Sequence, residues 1–292
     1  MRLLPLLTVA VALALVAAFV TRPVALPDTA LDGVTGDATR GAVIFAAAGC
    51  ASCHTVPDGP PDVLSGGRAF VTDFGTFHAP NISPDPEAGI GGWTDLQIAS
   101  AIQRGVSRDG QHLYPAFPYA AYTKADTQDV ADLIAHLRTL PASQVASLPH
   151  DLSFPFNIRA ALGVWKLLFL NQNWVLADAS APTVTRGRYL AEALSHCGEC
   201  HTPRNLLGGL ETGQWLAGAP NPDGEGRIPN ITPGGLDWSE GDIAEYLKSG
   251  FTPDFDTAGG SMADVVTNTA QLTDADRAAI AAYIKAVPPV AD

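Results

Sequence analysis

Cys50-Ala51-Ser52-Cys53-His54 recurs 147 residues later as Cys197-Gly198-Glu199-Cys200-His201, and these two pentapeptides use all four cysteines of the chain. C-x-x-C-H is the attachment sequence for c-type haem. Two thiols three positions apart sit on one helical turn and form thioethers to the two haem vinyl groups. The next histidine reaches the iron from the proximal side. A zinc ribbon would set its cysteine pairs roughly 15–20 residues apart. A thioredoxin-type motif would lie in a βαβ pattern, which neither copy shows. Two plain disulfides would not call for a histidine after each pair. The expectation is two covalently bound haem c groups, held by Cys50, Cys53, Cys197 and Cys200, with His54 and His201 as proximal iron ligands.

The repeat extends beyond the motif. Arg40-Gly41 is matched by Arg186-Gly187, and Pro80-Asn81-Ile82-Ser83-Pro84 by Pro229-Asn230-Ile231-Thr232-Pro233. Trp93-Thr94 is matched by Trp238-Ser239, with an isoleucine five residues on and a glycine twelve on in both copies. A period this long is domain-sized. Glycine (28) and proline (23) are plentiful, against about 20 and 15 from average usage. Such loop-rich modules would bury little core of their own, and a flat apolar disc supplies one. Helical spacing marks 99–104, 126–140, 242–249 and 273–287, while strand signals are scarce. Gly41 and Gly187 would let the first helix of each module cross the last one closely. The expected fold is all-α, with two tandem haem modules.

The boundaries follow. Residues 1–27 are a signal anchor and spacer. Module 1 covers 36–141, a linker with an amphipathic helix covers 142–182, and module 2 covers 183–288. Leu3 to Val20 is uncharged and largely apolar. Its 18 residues rise about 27 Å as a helix, close to a bilayer's hydrocarbon thickness. No A-x-A site follows, so a retained anchor is favoured over a cleaved signal, with the modules outside the cytoplasm in either case. In the linker, Ala160 to Leu170 is too short to span a membrane and reads as a helix packed across both modules.

Several stretches carry a family resemblance. They are Ala79-Pro80-Asn81-Ile82-Ser83-Pro84-Asp85, Gly89-Ile90-Gly91-Gly92-Trp93, Tyr114-Pro115-Ala116-Phe117-Pro118-Tyr119, Phe154-Pro155-Phe156-Asn157-Ile158-Arg159 and His196-Cys197-Gly198-Glu199-Cys200-His201-Thr202-Pro203-Arg204-Asn205. With them the chain resembles the membrane-anchored dihaem cytochromes c associated with periplasmic alcohol, aldehyde and sugar-acid dehydrogenases. The resemblance implies class I cytochrome c modules at the periplasmic face of a bacterial inner membrane. Electrons would come from a dehydrogenase and pass to a quinone, an oxidase or a soluble cytochrome.

Phe117 departs from the pattern, which resembles Tyr-Pro-Ala-Met-Pro-Tyr with methionine as sixth iron ligand. The internal repeat agrees: Gly105 to Phe117 and Gly250 to Met262 are both twelve residues, and Met262 is the only methionine besides Met1. Haem 2 can be His201/Met262. Haem 1 has no sulfur available, so it is five-coordinate under Phe117, bis-histidine through His112 or His78, or holds a small ligand. His196 sits beside Cys197 and is not expected to reach the other module. His136 reads as a packing residue, and His150 lies in the linker. Arg204 and Arg227 are candidates for haem propionates, and Trp93 and Trp238 for the haem edge. The net charge of −13 excludes general nucleic-acid affinity. Electron transfer without substrate chemistry is the first reading. A dihaem enzyme or ligand binder using an open haem 1 is the alternative.

Overall fold

The first helix, α1 (Leu3–Val20), is joined by a spacer to a module opened by α2 (Ala38–Ala47) and α3 (Cys50–His54). The hairpin β1 (Ala69–Thr72) and β2 (Gly75–His78) follows, then α4 (Asp95–Arg104), α5 (Tyr119–Tyr122) and α6 (Thr127–Leu137). The linker contributes β3 (Asp151–Leu152) and α7 (Leu162–Phe169). Module 2 comprises α8 (Pro182–Arg188), which runs into a π turn (Tyr189–Leu194), and α9 (Gly198–His201). Then come β4 (Ala219–Pro220), β5 (Arg227–Ile228), α10 (Glu240–Ser249), α11 (Ser261–Thr269) and α12 (Asp274–Ala286). This is a computed structural model. It describes residues 3–56, 59–221, 224 and 226–291, with side chains from Thr8 onward.

The repeated Trp-[Thr/Ser] pairs are helix starts. Thr94 accepts from the Gln97 amide while the Gln97 side chain accepts from the Thr94 amide. Ser239 and Asp242 do the same in module 2. These capping boxes satisfy amides that the first turn leaves unpaired, so α4 and α10 begin four and two residues before the apolar periodicity does. Gly105 (φ 59°) and Gly250 (φ 79°) stop both helices in the left-handed region.

The all-α expectation needs amending to helix-rich with two small sheets. β2 pairs antiparallel with β1 and with β3 of the linker, and β4 pairs with β5. Strands of two to four residues are too short for alternation to reveal. The β1–β2 turn is closed by Thr72 Oγ1 donating to the Gly75 carbonyl, 2.8 Å.

In each module the first helix crosses the last over a glycine, as expected. A Cβ on Gly41 would lie 1.9 Å from the Asp132 carbonyl oxygen, and one on Gly187 would lie 1.8 Å from that of Ala279. Asp132 is buried beside the first crossing. It accepts from Arg40 Nε (2.7 Å), Arg40 Nη2 (2.9 Å), the Asp37 amide (2.7 Å) and Gln128 Nε2 (2.8 Å). Burial alone would raise its pKa, but these donors outweigh it and hold the carboxyl below its ordinary value.

The copies differ by one residue. Nine positions separate Gly41 from Cys50, whereas ten separate Gly187 from Cys197. The π turn absorbs the extra residue, with the Ser195 amide bonding five residues back to Leu190. It carries Glu192, which is buried at the module junction. Glu192 accepts from Tyr283 Oη (2.8 Å) and from the Val175 and Leu176 amides (2.7 and 3.1 Å), and pairs with Lys124 of module 1 at 3.6 Å. Burial lowers the Lys124 pKa, and Glu192 opposes that shift. One apolar core runs through both modules, from Ile44, Tyr122 and Ile134 to Leu190, Leu216 and Tyr283.

Gly41→Ala and Gly187→Ala should each cost about 3 kcal/mol, because backbone rather than a movable side chain meets the added methyl. Thermal unfolding of each variant measures this. Asp132→Asn should cost about 1–3 kcal/mol at neutral pH. A depressed carboxylate stabilises above its unfolded pKa of about 4 and loses that contribution as pH falls through the folded value. The variant and wild type should therefore converge in acid denaturation.

Candidate haem sites

Both C-x-x-C-H units fold as short helical turns, α3 and α9. The paired cysteines lie three apart on one face, and no disulfide joins any of the four. Each turn follows a residue in the left-handed region, Gly49 (φ 64°) in module 1 and His196 (φ 40°) in module 2.

The proximal histidines share one geometry. His54 Nδ1 is 2.8 Å from the Pro80 carbonyl oxygen, and His201 Nδ1 is 2.9 Å from that of Pro229. A carbonyl only accepts, so Nδ1 carries the hydrogen and Nε2 keeps its lone pair. Burial also pulls both imidazole pKa values below the ordinary one, favouring the neutral ring. A neutral imidazole with its second nitrogen anchored to a carbonyl is the arrangement that metal-ligating histidines adopt. The residues present therefore fit a haem iron on Nε2 of each ring.

The repeated Pro-Asn-Ile-[Ser/Thr]-Pro loops explain why these carbonyls stay in place. Asn81 donates to the Ser143 and Val145 carbonyls (both 2.8 Å) and accepts from the Ser83 amide (2.9 Å). Asn230 donates to the Val290 carbonyl (2.8 Å) and accepts from the Thr232 amide (3.0 Å). Each loop is tied to the segment after the module's last helix. The motif is visible in the sequence but its role is not; a polar residue repeated between two prolines is the signal that could have pointed to it.

The distal loops also match. Val106 bridges to His112 and Phe251 to Thr257, and the Leu113 and Ala258 amides donate to the Gly105 and Gly250 carbonyls. Phe117 and Met262 are half-buried against the core. Phe117 leans on Tyr119 and Tyr122, with ring centroids 6.4 and 5.7 Å away. Met262 lies in the first turn of α11.

The other candidates sit as follows. His112 is buried, its Nε2 is 2.8 Å from the Thr21 carbonyl oxygen, and its Nδ1 has no partner. His78 places Nδ1 3.0 Å from the Pro149 carbonyl and is two residues from Pro80, the proximal acceptor. His150 accepts from the His78 amide, and His136 packs on Phe45. Arg204 is paired with Glu199 inside the second pentapeptide, and Arg227 is exposed on β5. Trp238 packs edge-on against Tyr246, and the Trp93 carbonyl accepts from Arg138. The expectation for His196 is corrected: its Nε2 lies 3.4 Å from the Ala48 carbonyl oxygen of module 1. This places His196 against the residues leading into the first attachment turn, a contact invisible in linear sequence. Trp215 carries no signal in the sequence; its Nε1 donates to Tyr283 Oη at 2.7 Å.

The family model for cytochrome c matches residues 38–141 and again 184–288. This chain belongs to the cytochrome c family. It is 58% identical over 291 residues to a "Diheme cytochrome c-type" protein of Cereibacter sphaeroides, covering 97% of this chain and 98% of that one. It is 40% identical over 263 residues to the fructose dehydrogenase cytochrome subunit of Gluconobacter japonicus (87% and 53% covered). It is 34% identical over 263 residues to the gluconate 2-dehydrogenase cytochrome c subunit of Pantoea cypripedii (85% and 59%). The cytochrome spans rather more than half the length of these two dehydrogenase subunits. It carries two covalently bound haem c groups, one per module.

The two haems should be chemically unequal, because Met262 is the only methionine in the sequence besides Met1 and Phe117 stands at the matching position of module 1. Oxidised protein should show a thioether–iron charge-transfer band for one haem, not two. Met262→Ala should abolish it and lower one potential, since a methionine ligand raises the potential. Phe117→Met should add a second band. Absorption spectra and redox titrations of the three proteins check this.

Proposed function

We propose that this cytochrome relays electrons from a periplasmic dehydrogenase to a respiratory acceptor while anchored at the periplasmic face of a bacterial inner membrane. The observation that carries the reading is the pair of proline-anchored proximal imidazoles in modules joined by one core. Such a frame holds two redox centres at a fixed separation. Relatives include cytochrome subunits of fructose, alcohol and gluconate dehydrogenases and a nicotinate dehydrogenase subunit, which supports a dehydrogenase as donor. The acceptor would be a quinone, an oxidase or a soluble cytochrome. His54 and His201/Met262 would ligate the two irons, with Phe117 over haem 1.

Two features support the anchor. The described side chains of α1 are exposed, among them Val9, Leu13, Leu15, Val16 and Phe19. The first five residues of the helix lie outside the described side chains, and among the described residues no helix is long and apolar enough to cross a membrane. The second feature is α7, whose Gly163 packs against Thr21 at the foot of α1. Lys166 points inward, donating to the Arg104 and Gly105 carbonyls at 2.6 and 2.7 Å. Arg159, just before it, donates inward to the His112 carbonyl at 2.9 Å. Val164, Leu167 and Leu168 point outward and are more than half exposed. A water-facing helix has the opposite arrangement, so this face suits a bilayer surface.

Phe117 favours a second reading, in which an open haem 1 binds or transforms a small ligand. Carbon monoxide separates the two: a closed haem 1 that takes up none supports the relay, and rapid binding to one haem supports the alternative. In a deletion strain, substrate-dependent oxygen uptake should fall while dye-linked dehydrogenase activity of the same membranes persists. Unchanged uptake on alcohols, sugars and sugar acids would sink the relay reading. Removing residues 1–22 behind a cleavable signal should release a soluble, haem-loaded form.

A further inference from the structure

We propose that His196 is the bridge between the two haem attachment turns, and that its contact with Ala48 carries electron exchange between the haem groups. The inference rests on the relay reading above.

The backbone supplies the first argument. The residue before the first cysteine is left-handed in both modules. Module 1 places glycine there, which adopts this conformation freely. Module 2 places histidine there, and any residue with a Cβ is strained in this region. Glycine would satisfy the turn equally well, so the strain must secure something that the side chain does.

The side chain supplies the second. It crosses the seam to module 1 and is half-buried. Its ring packs edge-on against Tyr122, with centroids 5.7 Å apart and planes at 81°. Its Nε2 faces the Ala48 carbonyl at 3.4 Å, a long contact, and the same oxygen accepts from Tyr122 Oη at 2.9 Å. A carbonyl only accepts, so Nε2 is the donor. His196 adjoins Cys197, and Ala48 is separated from Cys50 only by Gly49. One hydrogen bond therefore connects two short covalent segments, each ending at a haem thioether.

Other contacts hold the seam without offering as short a route. Arg68 pairs with Asp264 of module 2 at 2.9 Å and also donates to the Ser52 carbonyl. Asn268 donates to Ser52 Oγ at 2.7 Å, but five residues of helix separate it from Met262. Lys124 and Glu192 meet at 3.6 Å, but neither is hydrogen-bonded to an attachment pentapeptide. In the exchange itself one electron leaves a ferrous iron and reduces the ferric iron of the other module. No bond breaks and no proton is required.

Flash photoreduction of the oxidised full-length protein by a flavin semiquinone reads the exchange, followed where the two haem spectra differ. His196→Phe keeps the ring and its stacking but removes the donor, and should slow the exchange severalfold with both haems loaded. His196→Gln returns a donor at similar reach and should restore much of the rate. His196→Gly should be slow yet melt no lower than wild type, because it adopts the module 1 backbone. It replaces His196→Phe in the comparison if that variant fails to load both haems. In wild-type protein the 15N shift of His196 Nε2 should be that of a protonated, neutral ring nitrogen. A wild-type rate in His196→Phe or His196→Gly, or a Gln variant as slow as the Phe variant, overturns the bridge. Absence of any exchange in wild type overturns the relay reading with it.

Discussion

The hydrogen bond from each proximal imidazole to a proline carbonyl is the constraint around which both modules are built. It selects the tautomer that leaves Nε2 free for iron. It also requires the Pro-Asn-Ile loop to come back under the attachment turn at a fixed distance. Asn81 and Asn230 hold that loop against the chain leaving the last helix. The last helix is in turn locked on the first by a glycine crossing that tolerates no methyl group. The histidine, the loop and the helix pair are thus one mechanical unit, used twice.

The two copies are informative where they differ. One additional residue before Cys197 is accommodated by a π turn, and that turn carries Glu192 into a buried position between the modules. A buried carboxylate is tolerable only when it is paired and hydrogen-bonded. Lys124, Tyr283 and two linker amides meet that requirement. The junction is therefore specific: its polar groups are satisfied in one arrangement of the modules. The distal sides differ as well. Phe117 stands among tyrosines where module 2 has Met262 at the start of a helix. Both residues pack against the core, so two nearly equivalent scaffolds present different distal side chains.

The linker joins these units to their surroundings. α7 reaches both modules, through Lys166 to the end of α4 and through Trp165 Nε1 to the Leu207 carbonyl of module 2. Lys166 is drawn in far enough that burial lowers its pKa to about 8. Leu167 and Leu168 of α7 are exposed, as are Leu206 and Leu207 of module 2.

The covalent chemistry was determined by sequence alone. Cysteine and histidine spacing identifies the attachment turns and the period identifies two modules, because each is a property of the linear sequence. The glycine crossings at Gly41 and Gly187 were legible for the same reason: a small residue repeated at one helical position marks a close approach of two helices. The small sheets escaped because two- to four-residue strands are defined by their partners. The anchoring role of Asn81 and Asn230, the Glu192–Lys124 pair and the reach of His196 were decided only by tertiary structure. Their partners lie 60 or more residues away. Only the three-dimensional path of the chain selects which distant carbonyl or charge a polar side chain meets.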